Sequence, residues 1–249
     1  MINSNTFSNF NSKYPIYADL HTHSISSGHG SEDTITDMIR CASESGLSLF
    51  GISDHGPATS SSAKSSYFQS LKLADRDRFG IRVLYGAELN IINTSGDVDL
   101  DDEILSALDY AIISIHPPIF KPYHDKDLSS AYIRAMDHPK VRFLGHIDDA
   151  RFPVDFEYLL EIAKEKHVYP EINNGSLMPD AYRINGQENC RRILSICKKL
   201  DLPVLLSSDS HGKKNIGNMQ YIFPLLEELD FPAHLVLNSD LSVLSEIIR

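Results

Sequence analysis

The amino-acid sequence predicts an α/β fold in which a parallel sheet closes, or nearly closes, into a barrel wrapped by helices. Short apolar segments alternate seven times with segments of helical periodicity, and this order is typical of parallel strands joined by helices. The 249 residues show no linker-like change in composition, so we expect a single domain over residues 1–249. The Gly-x-Gly-x-x-Gly loop that open nucleotide-binding sheets often carry is absent, which favours the barrel.

The predicted strands are short and rich in apolar residues. They cover residues 16–23, 49–53, 82–87, 110–115, 141–145, 168–172 and 203–206. Helical spacing of apolar residues predicts the segments between and after them, around residues 35–45, 67–79, 101–108, 127–137, 156–163, 190–200, 219–229 and 241–248. The first of these helices has a capping start, since Thr34 precedes Asp37 by three positions, and it ends at Gly46.

Composition and charge limit the classes of function. Hydrophobic residues make up 42% and charged residues 23% of the chain, which is ordinary for a globular protein. No apolar run is long enough to span a bilayer. Residues 1–13 are rich in Asn and Ser and do not resemble a secretory signal, so we expect a cytoplasmic location. The net charge of −11 disfavours a protein that tracks a nucleic-acid backbone, although bound metal ions can reverse the local field.

Two of the three cysteines lie on one face of a predicted helix. Cys190 and Cys197 share an apolar stripe with Ile193, Leu194 and Leu200 at helical spacing. This pattern predicts buried packing rather than a disulfide or a thiolate metal site.

The most informative stretch is Asp19-Leu20-His21-Thr22-His23, which follows the first apolar run. An extended strand places alternate side chains on one face, so Asp19, His21 and His23 point the same way. Two imidazoles at this spacing can bind one metal ion at about 2.0–2.1 Å each. A buried histidine pair satisfied by hydrogen bonds would show the same pattern, so the motif needs support from the rest of the chain.

That support comes from the other predicted strand exits, because most are followed by a residue that can ligate a metal. They are His21 and His23, His55, Glu88, His116, His146, and Asp209 with His211, while His29 lies in the first loop. Seven of the 11 histidines belong to this set. In a barrel the carboxyl ends of the strands meet at one face, so these residues are expected to converge there.

The same motifs resemble the PHP (polymerase and histidinol phosphatase) superfamily, in its order and over nearly the whole chain. The motifs are Asp19-Leu20-His21-Thr22-His23, Asp54-His55-Gly56-Pro57, Glu88, His116-Pro117, Gly145-His146, Glu171-Ile172-Asn173-Asn174 and Ser208-Asp209-Ser210-His211. The resemblance is greatest to stand-alone bacterial phosphatases of the superfamily, which implies a distorted (β/α)7 TIM-like barrel and three metal ions. His146 is followed by Ile147-Asp148, where the nearest relatives often have Pro-Gly, and this form is also similar to the histidinol-phosphate phosphatases.

The resemblance also implies a ligand set. It implies one ion held by His21, His23, Glu88 and Asp209. It implies a second held by Glu88, His116 and His146, and a third held by His29, His55 and His211, with Glu88 bridging the first two.

Other residues are candidates for supporting roles. Asp19 and Asp54 are expected to contact ligating imidazoles rather than the metal. Asn173, with Glu171 and Asn174, is a candidate for lining the site, although loop hydrogen bonds explain the Asn pair equally well. Arg183 and Lys121 are candidate phosphate contacts, with solvated surface charge as the alternative for each.

This chemistry predicts a metal-dependent phosphoric monoester hydrolase acting on a small phosphorylated metabolite. Imidazole-rich ligands favour Zn²⁺ over Mg²⁺, with Mn²⁺ and Fe²⁺ as alternatives. A metal-bound hydroxide is the expected nucleophile, with Glu88 and Asp209 holding the metals that activate it. Histidinol-phosphate phosphatase, metal-dependent nuclease and amidohydrolase-like enzyme remain the alternative functions, and a homo-oligomer remains open.

Overall fold

A computed structural model describes residues 11–121 and 126–249. Most of the amino-terminal stretch that argues against a secretory signal therefore lies outside the described residues. The strands are β1 (Ala18–Asp19), β2 (Thr22–His23), β3 (Leu49–Ile52), β4 (Asp77–Arg78), β5 (Ile81–Tyr85), β6 (Ala87–Asn90), β7 (Ala111–Ser114), β8 (Val141–Leu144), β9 (Tyr169–Asn173), β10 (Leu205–Ser207) and β11 (Ser210–His211). The α-helices are α1 (Ile35–Glu44), α2 (Ser65–Ser70), α3 (Asp102–Leu105), α4 (Ser129–Ala135), α5 (Phe156–Glu165), α6 (Gly186–Leu200), α7 (Phe223–Glu228) and α8 (Leu241–Ile248).

The strands form a parallel arrangement that runs once around the fold. β1 pairs with β3 and β3 with β5, while β6, β7, β8, β9 and β10 pair in succession. Only Gly86 separates β5 from β6, so they are two halves of one bent strand. β11, which continues β10 after a short turn, pairs in parallel with β2. The pairing therefore returns from the last strand to the first, and the predicted α/β fold is confirmed.

A side chain joins the first and last strands where they do not pair directly. Asn238 is fully buried, and its Nδ2 donates to the carbonyl oxygens of Ala18 and Leu206, each at 2.8 Å. Its Oδ1 accepts from the backbone N–H of Leu206 at 2.8 Å. The amide thus supplies the hydrogen bonds that a neighbouring strand would supply to β1 and β10.

The interior of the barrel is filled around Tyr110, which is fully buried and donates its hydroxyl proton to the Leu20 carbonyl oxygen. A Cβ at Gly51 would lie 2.3 Å from that hydroxyl, and a Cβ at Gly86 would lie 2.7 Å from the Tyr110 carbonyl oxygen. Glycine is therefore needed at both positions because the backbone passes so close to the tyrosine.

A second apolar layer lies between the strands and the helices. Cys190 and Cys197 pack in this layer, fully buried and unbridged, so the expectation of buried packing is confirmed. The capping box of α1 is also confirmed, because Thr34 and Asp37 exchange side chain to backbone hydrogen bonds.

Two predicted elements differ from the structure. The helix expected over residues 67–79 is shorter, because α2 ends at Ser70 and one 3-10 turn follows it, and residues 77–78 form β4 instead. β4 pairs antiparallel with β5 around a turn in which Phe79 and Gly80 have positive φ, a backbone that cannot continue a helix. The third strand was expected to end before Glu88, but Glu88 lies inside β6.

In the described part of the chain, no helix is both long enough and apolar enough to cross a membrane.

The closure by Asn238 gives a prediction about stability. Replacing Asn238 with alanine leaves three backbone groups of β1 and β10 without a partner in the interior, so the free energy of unfolding should fall by about 2–4 kcal/mol. Denaturant unfolding followed by circular dichroism measures it. Gln220→Ala, which removes an exposed amide, is the control and should change stability by less than about 0.5 kcal/mol. Equal stability of the two variants would contradict the bridging role.

Candidate metal centre

The site is built around one carboxylate, Glu88, which is fully buried in β6. Five imidazoles surround its two oxygens. Oε2 lies 3.4 Å from His21 Nε2, 3.5 Å from His23 Nε2 and 2.6 Å from His55 Nδ1, while Oε1 lies 2.9 Å from His146 Nε2 and 3.3 Å from His116 Nε2. A carboxylate with both oxygens in such contacts is suited to bridge two cations.

The first group of ligand atoms joins the amino-terminal strand to the last one. His23 Nε2 lies 3.2 Å and His21 Nε2 lies 3.7 Å from Asp209 Oδ1, and both nitrogens are 3.4–3.5 Å from Glu88 Oε2. A tetrahedral ion with ligands at about 2.0–2.1 Å holds them roughly 3.3–3.4 Å apart. The spacing of these four side chains therefore fits a single tetrahedral ion.

The second group lies on the other oxygen of Glu88. His116 and His146 approach Oε1, and their rings meet edge to face with centroids 5.0 Å apart. The structure therefore brings together the three residues that the family resemblance implies for the second ion.

The third group is looser. The ring of His29 lies 4.9 Å from that of His55 and 5.1 Å from that of His211. His23, however, stacks on both His55 and His211, at 4.2 and 4.3 Å, and its ligand atom is within 4.8 Å of theirs. His29 is exposed. The three implied ligands are thus neighbours, with His23 closer to the other two than His29 is.

Several atoms of the cluster are buried without a hydrogen-bond partner among the described residues. They are His21 Nε2, His23 Nε2, His55 Nδ1, Glu88 Oε2 and His211 Nε2. Each unpaired buried polar atom costs about 1–3 kcal/mol, so five in one place need a common explanation. Imidazole nitrogens around one carboxylate are a donor set for transition-metal cations, and the residues present fit such ions.

The electrostatics of the cluster also favour cations. Burial lowers the pKa of His21, but the carboxylates of Glu171, Glu88 and Asp209 outweigh it and hold the pKa well above the usual value. Burial and the neighbouring His55 and His211 keep the pKa of His23 well below its usual value. The carboxylate field that would protonate His21 would equally stabilise a metal ion bound to it, while a neutral His23 is ready to ligate.

Burial raises the pKa of Glu88, but the imidazoles of His116, His21 and His55 overcome this effect and hold the pKa well below the usual value. The pKa of Asp209 is also well below its usual value, because His21 and Arg183 outweigh the effect of burial. Both carboxylates are therefore ionised at neutral pH, as metal ligands must be.

Glu171 orients two of the histidines. Its Oε1 lies 2.5 Å from His21 Nδ1, and its Oε2 accepts from the backbone N–H of His146 at 2.7 Å. A proton on Nδ1 leaves Nε2 of His21 free for a metal, which is the usual carboxylate–histidine–metal arrangement. The sequence marked Glu171 only as a residue that might line the site.

Two further histidines have partners that sequence reasoning did not identify. His116 Nδ1 lies 2.7 Å from Asn90 Oδ1, and Asn90 in turn donates to Asp99. His23 Nδ1 lies 3.0 Å from the hydroxyl of Ser27. Asn90 lies two positions after Glu88 on the same strand, so strand periodicity was the one available signal for it.

The predicted supporting aspartates reach the imidazoles indirectly. Asp54 accepts from Ser27, which contacts His23, so it acts through the serine. Asp19 accepts from Ser208 and from the backbone N–H of Gly217, and in these contacts it holds the turn before Asp209 rather than an imidazole.

The remaining candidates separate into two groups. Asn173 Nδ2 donates to Asp209 Oδ2 at 3.0 Å, and Arg183 Nη2 donates to the same oxygen at 2.7 Å, so both hold Asp209 in place. Asn174 accepts from the backbone of Tyr221, away from the histidines. Lys121 is exposed and is not among the described residues that line the cavity over the cluster.

Backbone strain is present at two of the candidate ligands. His146 has a φ of 29° and Asp209 a φ of 52°, in the left-handed region that non-glycine residues seldom adopt. Such strain persists where surrounding contacts hold it, and it is common at functional sites. Glu171 holds the backbone of His146, while Arg183 and Asn173 hold the side chain of Asp209.

Comparison with known proteins agrees with this geometry. A family model for the PHP domain matches residues 19–175. A protein of Clostridium acetobutylicum named a probable phosphatase is 36% identical over 231 residues, which are 93% of each chain. A protein of the same name from Acetivibrio thermocellus is 34% identical over 231 residues, 93% of this chain and 94% of the relative.

Among solved structures, the histidinol phosphate phosphatase of Lactococcus lactis, complexed with zinc, L-histidinol and phosphate, has a TM-score of 0.59. It is 19% identical, and the match covers 86% of this chain and 94% of that one, so the likeness concerns the fold. The family model and the two relatives decide the assignment: the chain belongs to the PHP domain family.

Proposed function

We propose that the protein is a metal-dependent phosphatase that hydrolyses small phosphoric monoesters at a site for three divalent ions. The observation that carries the proposal is the group of five imidazoles around Glu88, with unpaired ligand atoms facing one another. The relatives named probable phosphatases support the reaction class. A cytoplasmic location, expected from the sequence, is part of the same proposal.

The proposed ligands follow the three groups. His21, His23, Glu88 and Asp209 would hold one ion. Glu88, His116 and His146 would hold a second, and His29, His55 and His211 a third. Zinc is the favoured metal because imidazoles dominate, and manganese and iron are the alternatives. When bound, such ions supply hydroxide near neutral pH and neutralise charge on phosphate oxygens.

The residues of the chain would position the reactants. Glu88 fixes the separation of two cationic sites, and Glu171 holds His21 and the His146 backbone in the ligating orientation. Arg183 lines the cavity beside Asp209, where its remaining N–H groups can donate to a phosphate oxygen. In the reaction, the oxygen of water bonds to phosphorus, the ester P–O bond breaks, and the alcohol leaves with a proton.

A substrate panel tests the reaction class. The protein, supplied with zinc or manganese, should release p-nitrophenol from p-nitrophenyl phosphate and should lose this activity when a chelator is added. It should show far lower rates on a single-stranded oligonucleotide and on a cyclic amide. Cleavage of only the oligonucleotide would indicate a nuclease, and cleavage of only the amide an amidohydrolase. Phosphate release that a chelator leaves unchanged would contradict the metal requirement.

The bridging role of Glu88 gives a second test. Glu88→Gln removes the negative charge that offsets the repulsion between two cations, so we expect loss of at least one bound ion and a fall in kcat of about 10²-fold or more. Elemental analysis and steady-state kinetics measure the two effects. Glu165→Gln, at an exposed position on α5, is the matched control and should keep both. Full metal content and full kcat in Glu88→Gln would refute the bridge.

A further inference from the structure

The cavity over the metal-competent residues is larger than a phosphate group needs. Its volume is about 580 Å³, within the range of pockets that hold drug-sized ligands. Part of its lining belongs to the cluster, including Glu88, His116 and Asp209. Another part is apolar and consists of Pro117, Pro118, Ile119 and Tyr182. The cavity thus offers a surface for the leaving group as well as one for phosphate.

Tyr182 is the most exposed of these apolar residues, yet its ring is held. Its side chain is 70% exposed, while the guanidinium carbon of Arg151 lies 4.1 Å from the ring centroid. Arg151 is itself fixed, because its Nε donates to both carboxylate oxygens of Asp149 at 2.9 Å. Arg151 covers one face of the ring, so the exposed surface is the rest of it, and that part is already ordered for binding a flat apolar group.

The loop that carries Tyr182 is tied to the loop that carries Arg151. The backbone N–H of Ala150 donates to the Ile184 carbonyl oxygen at 2.9 Å, and the N–H of Ile184 donates to Asp149 Oδ1 at 3.4 Å. Asp149 therefore holds both Arg151 and the segment beside Tyr182. The ring is fixed by its neighbours rather than by a ligand.

The charges of the cavity decide which leaving group suits it. Among the lining residues that the structure describes, the carboxylates are Glu88 and Asp209, and both lie close to imidazole nitrogens of the cluster. Arg183 lines the same cavity, and Arg151 lies against Tyr182. A cationic leaving group would meet two guanidinium groups and no uncommitted carboxylate, which is electrostatically unfavourable.

We propose that the leaving group is a neutral, flat apolar alcohol that packs against Tyr182. The substrates would then be aryl or similarly apolar phosphoric monoesters, rather than phosphates of cationic amino alcohols such as histidinol. This inference rests on the proposed phosphatase function, since it assigns the part of the cavity that phosphate leaves free.

Binding of stable phosphonates tests the inference without requiring turnover. Methylphosphonate, phenylphosphonate and 2-aminoethylphosphonate share the anionic group and differ in the substituent. Titration calorimetry with zinc-supplied protein should give the lowest Kd for phenylphosphonate, with an advantage over methylphosphonate of about 2- to 12-fold, the range for one aromatic contact. 2-Aminoethylphosphonate should bind no more tightly than methylphosphonate.

Variants assign the preference to the ring. Tyr182→Ala should abolish the preference for phenylphosphonate over methylphosphonate, whereas Tyr182→Phe should keep it because the ring remains. Tyr158→Ala removes another partly exposed tyrosine, on α5, and should leave the preference unchanged.

Three results would overturn the inference: tighter binding of the aminoethyl compound, an unchanged preference in Tyr182→Ala, or no binding of any phosphonate. None of these depends on catalysis. Failure of the proposed function itself would appear separately, as the absence of phosphate release from every monoester in the substrate panel.

Discussion

Burial of the Glu88 carboxylate among five imidazoles is the constraint on which the rest of the site depends. An ionised carboxylate in the interior needs positive charge, and the neighbouring histidines supply it only if they are protonated or if cations lie between them and Glu88. The unpaired ligand atoms on both sides of the carboxylate favour cations. The proposed metals would thus balance a charge that the fold places where water cannot solvate it.

The barrel makes this arrangement possible because it brings distant segments to one face. Glu88 lies on a strand that bends at Gly86, His21 and His23 follow the first strand, and Asp209 lies in the turn between β10 and β11. The first and last strands must meet for these residues to share an ion. They meet through the β2–β11 pair and through Asn238, so the residues that close the barrel also bring together the two ends of the proposed first metal site.

The sequence predicted the features that follow from local pattern and from the family resemblance. Alternating strands and helices indicated the α/β fold, and histidines after strand exits indicated which residues would converge. The positioning contacts were not predictable in the same way. Asn90 reaches His116 across 26 positions, Glu171 reaches His21 across 150, and Asn238 reaches Ala18 across 220. Such contacts depend on strand register and loop paths, which periodicity does not specify.

The central claim is that Glu88 lies between cations bound by the surrounding histidines. Crystals of the zinc-supplied protein, measured on both sides of the zinc absorption edge, would test it most directly. The account predicts three anomalous peaks, two of them on opposite oxygens of Glu88 and the third among His29, His55 and His211, with ligand distances of about 2.0–2.2 Å. A fully occupied crystal with a single peak, or with no peak in contact with Glu88, would contradict it.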